Sequence, residues 1–75
     1  MSTSDLDQLR LEYKAAVDEW VAAIRAEEAL ATADHSMTAM ENWDDAHFKE
    51  QDAQAKATKA REAYMDALRT VNYGI

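Results

Sequence analysis

Seventy-five residues without a cysteine carry a formal net charge of −7. That excludes thiol chemistry and thiolate metal sites and, for want of a basic surface, nucleic-acid binding along a phosphate backbone. A chain this short encloses a small core, so an assembly partner is expected. No stretch approaches the ~20 apolar residues of a membrane span, and the acidic start MSTSDLDQ is unlike a signal peptide; the expectation is a cytoplasmic protein without membrane contact.

With no proline, and with glycine only at position 74, nothing interrupts a helix over most of the length, which predicts an all-α chain. The first helix is expected over residues 5–33, capped by Ser4 with Asp7. Its stripe is Leu6, Leu9, Tyr13, Val17, Trp20, Ile24 and Ala31, at spacings of three, four or seven; Leu11 points the other way. A turn is expected over residues 34–38, where Asp34, His35, Ser36 and Thr38 compete for backbone hydrogen bonds. Thr38-Ala39-Met40-Glu41 reads as a capping box opening a second helix over 39–72, with Asn42 before Asp44 and Asp45 as a rival start. The second stripe is Ala39, Trp43, Ala46, Ala53, Ala57, Ala60, Tyr64, Leu68 and Val71, and Asn72-Tyr73-Gly74 closes the helix.

Folding back near His35 gives an antiparallel helical hairpin. It sets Tyr13 against Ala57, Val17 against Ala53, Ile24 against Ala46 and Leu6 against Tyr64, large against small, as interdigitating helices require. Trp20, Ile24, Trp43, Tyr64 and Leu68 are the expected anchors of core and interface. Val21, Leu30, Met40 and Met65 lie beside the stripes, and a homodimeric four-helix bundle is the commonest way to cover such flanks. The expected function is a small structural or protein-interaction module that self-associates. Unless metal is bound it is not expected to be an enzyme, and no cofactor is implied: no phosphate loop, nucleophile elbow or catalytic triad spacing occurs.

Chemistry is confined to one region. Residues 27–47 hold six of the fifteen acids and both histidines. Overall, residues 1–45 carry eleven acids against three bases and residues 46–75 four against five, so the hairpin tip is a possible docking surface for a basic protein. Glu27 and Glu50 interrupt the apolar stripes and need partners; level pairing offers the Trp43 indole to Glu27 and the Trp20 indole to Glu50. The alternative is a carboxylate/histidine metal-binding bundle using Glu27, His47 and Glu50, although neither Asp44-Asp45-Ala46-His47 nor His47-Phe48-Lys49-Glu50 matches the Glu-x-x-His pair of di-iron bundles. His35 is expected in the solvated turn. Lys49, Lys56, Lys59, Arg61 and Arg69 alternate with Asp45, Asp52, Glu62 and Asp66 as a solvated, paired face.

Overall fold

A computed structural model describes residues 3–31 and 35–74. Two helices pack antiparallel along each other: α1, Thr3–Ala29, and α2, Met37–Tyr73. No helix among the described residues is long and apolar enough to cross a membrane.

The helix ends differ from the expected ones. Ser4 lies inside α1, which already begins at Thr3 with Asp5 in its first turn. At the other end α1 stops at Ala29, where the Leu30 and Ala31 amides donate to the Glu27 and Glu28 carbonyls at 3.1 and 3.0 Å. These bonds tighten the last turn and satisfy two carbonyls left over at the helix end. Asp34 lies outside the described residues.

The cap of α2 is Ser36, not Thr38. Its backbone is extended (φ −67°, ψ 163°) and its hydroxyl oxygen accepts from the Ala39 amide at 3.1 Å. Serine ranks above threonine at this position, and starting here adds two residues of helix. The far end is as expected: Gly74 adopts φ +73° and its amide donates to the Thr70 carbonyl at 3.0 Å, the left-handed cap that glycine adopts without a Cβ clash.

The contact seam follows a strict three-four alternation. On α1 it is Leu6, Leu9, Tyr13, Ala16, Trp20, Ala23 and Glu27; on α2 it is Ala46, Glu50, Ala53, Ala57, Ala60, Tyr64 and Ala67, all buried or half-buried. A repeat of 3.5 residues keeps one face of each helix on its partner, whereas a stripe of the first helix running through Val17 and Ile24 drifts off it. Ala16 and Ala23 occupy the seam in their place. Val17 stays half-buried, and Ile24 is 40 % exposed.

The four buried hydrophobic residues among those described are all alanines: Ala16, Ala46, Ala57 and Ala67. Small side chains let the backbones approach closely, but each removes little apolar area from water. Of the expected anchors, Trp20, Tyr64 and Leu68 are half-buried on the seam or its edge. Ile24 and Trp43 are not core residues of the single chain, Trp43 being 45 % exposed. For Trp43 the cause is the early end of α1: the contact between Glu27 and His47 sets Ala29 about level with Asp45, so no helical turn of α1 stands opposite Trp43 or Met40.

Candidate metal centre

Near the turn the seam changes character. Glu27 comes from the last turns of α1, whereas His47 and Glu50 come from successive turns of α2, three residues apart and therefore neighbours on one side of the helix. Each carboxylate occupies a position where the alternation places an apolar side chain elsewhere.

The expected pairing of Glu50 is present. The Trp20 indole Nε1–H donates to Glu50 Oε1 at 2.6 Å, a part-buried contact between the helices. It satisfies the one polar atom of a largely apolar side chain and fixes one oxygen of the carboxylate.

The expected pairing of Glu27 is replaced by another. Glu27 Oε1 lies 3.2 Å from His47 Nδ1, and the Trp43 indole makes no hydrogen bond to it. Trp43 instead borders an open apolar hollow of about 450 Å³ together with Leu30, His35 and Met40. The substitution follows from register: His47, one turn beyond Trp43, is the residue that faces the end of α1. His35 is exposed beside this hollow and joins neither carboxylate.

Glu27, His47 and Glu50 each place one potential ligand atom within 4.8 Å of the other two. Two like charges at that separation repel by about 1 kcal/mol even at the dielectric constant of water, and by more in less polar surroundings. The carboxylates are half-buried, and the histidine side chain is 49 % exposed. The constellation thus combines two oxygens and one nitrogen, opens to solvent on the imidazole side and carries an indole N–H behind one carboxylate.

The remaining acids of the tip, Glu28, Glu41, Asp44 and Asp45, are exposed outside this group. On the basic face Arg69 holds Asp66 at 3.1 Å within α2, an expected i,i+3 pair, whereas Lys56 reaches across to Glu19 at 2.9 Å. The cross-helix pair was not foreseen because Glu19 and Lys56 both lie off the apolar stripes. No family model, curated protein or solved structure matches this chain.

Proposed function

We propose that this chain is a structural, self-associating interaction module, completed by a second copy of itself into a four-helix bundle. The observation that carries this reading is the all-alanine core. Among the described residues no large side chain is fully buried, while Val21, Ile24, Leu30, Met40 and Trp43 are each between 38 and 53 % exposed.

These residues are not scattered. Val17, Val21 and Ile24 lie at i, i+4 and i+7 on one flank of α1, and Met40 and Trp43 lie on one flank of α2. In an antiparallel pair of right-handed helices those two flanks fall on the same side of the hairpin. That side runs along the half of the hairpin nearer the turn, and a second copy laid on it would cover these side chains together.

A second copy suits this face in charge as well. Residues 3–31 carry seven acids against three bases, whereas residues 49–69 carry five bases against four acids. Packing α1 of one copy beside α2 of the other brings unlike charges together, which favours that pairing over one that sets α1 against α1.

Sedimentation at low and high concentration tests the proposal. The wild-type chain is expected to reach twice its 8.5 kDa mass, and Val21→Glu and Met40→Glu are each expected to stay at the single-chain mass while retaining their helical circular dichroism. A single-chain mass for the wild type at every concentration, or association unaffected by either substitution, overturns it.

A further inference from the structure

We propose that Glu27, His47 and Glu50 bind one divalent first-row transition-metal ion, with zinc as the best-suited representative and water completing the coordination shell. All three ligands come from one chain, so the site does not depend on self-association.

Four features converge on this assignment. The ligand atoms already lie within 4.8 Å of one another. A tetrahedral ion with bonds of about 2.0–2.2 Å needs them about 3.4 Å apart, a closure of up to about 1.4 Å that side-chain torsions of partly exposed residues supply. The two carboxylates supply the charge that offsets a divalent cation, and the cation in turn removes their mutual repulsion, giving the interruption of an otherwise apolar seam a purpose that two alanines cannot serve.

The Trp20 indole donates to Glu50 Oε1. Hydrogen bonds of this kind orient ligating carboxylates, and here the bond holds the carboxylate while its other oxygen stays available. Finally, in the single chain the half-exposed imidazole leaves an entry path and room for bound water. An imidazole in the donor set selects zinc and its neighbours in the row over calcium or magnesium, which take all-oxygen shells.

The test is a titration of the full chain with Zn(II), Co(II) and Mg(II), followed by calorimetry, thermal melting and, for cobalt, visible absorption. The expected result is one Zn(II) per chain, a melting temperature raised by zinc and not by an equal concentration of magnesium, and the visible band of cobalt with a nitrogen ligand. His47→Ala, an exposed position whose loss leaves the seam intact, is expected to weaken zinc binding by more than about tenfold with unchanged helicity. Glu27→Gln keeps an acceptor for His47 but removes the charge, and is expected to weaken binding similarly.

Absence of stoichiometric zinc binding overturns the proposal. So does equal stabilisation by magnesium, or binding that survives both substitutions, since either result assigns the ion to diffuse attraction by the acidic surface.

Discussion

The two halves of the hairpin are built on the same alternation yet filled differently. Toward the chain ends the seam is Leu6, Leu9, Tyr13 and Ala16 against Ala57, Ala60, Tyr64 and Ala67, with Ala16 and Ala57 both at 3 % exposure. Toward the turn it is Trp20, Ala23 and Glu27 against Ala46 and Glu50, and the buried alanine there, Ala46, sits at 9 %. Ala46 lies level with the last turn of α1, where fewer side chains cover it, and it is there that carboxylates enter the seam. The distal seam is apolar throughout, and the three candidate ligands all lie in the proximal half.

The tryptophans give the strongest handle on that contrast. Trp20→Ala removes a half-buried indole and the hydrogen bond to Glu50, and is expected to cost about 3 kcal/mol in urea unfolding of dilute protein. Trp43→Ala is expected to cost less than about 1 kcal/mol under the same conditions, because the side chain is already largely in water. Equal losses place Trp43 in the core of the single chain and erase the distinction.

A smaller effect tests the packing itself. Ala57→Leu forces three extra carbons into the tight half and is expected to destabilise by about 1–3 kcal/mol. Ala46→Leu, nearer the end of α1, is expected to cost less, and melting temperatures of the two variants read the order directly. The smallest effect is assigned to the exposed cross-helix pair: Lys56→Ala is expected to shift stability by about 0.5 kcal/mol or less, and that shift is expected to vanish at high salt.

Much of this architecture is legible in the sequence, for reasons that particular residues make plain. The absence of proline and the lone Gly74 delimit helices without any tertiary information, and the position of Trp20 relative to Glu50 follows once the chain is folded near His35. The exact faces are harder to read. Val17 and Ile24 are more hydrophobic than Ala16 and Ala23, so hydrophobicity ranks them first for the core. What decides is the closeness of the two backbones, which favours alanine and is a property of the pair.

The same holds for the cap and the candidate site. Thr38 with Glu41 makes the better local pattern, yet Ser36 is the cap, since a cap is chosen by where the chain leaves its extended conformation. That Glu27, His47 and Glu50 share a region was readable from helical spacing. That His47, and not Trp43, stands beside Glu27 depends on α1 ending at Ala29, which no residue of its last turn announces, since neither glycine nor proline is there.

The helices are unequal, 27 residues in α1 against 37 in α2, and by the register of Glu27 with His47 most of the surplus falls at the turn. Met37 to Asp44 thus extend about 12 Å past the last turn of α1. Extending α1 by two turns would cover Met40 and Trp43 from within the chain, so the point at which α1 stops decides whether those side chains serve the hairpin or remain on offer outside it.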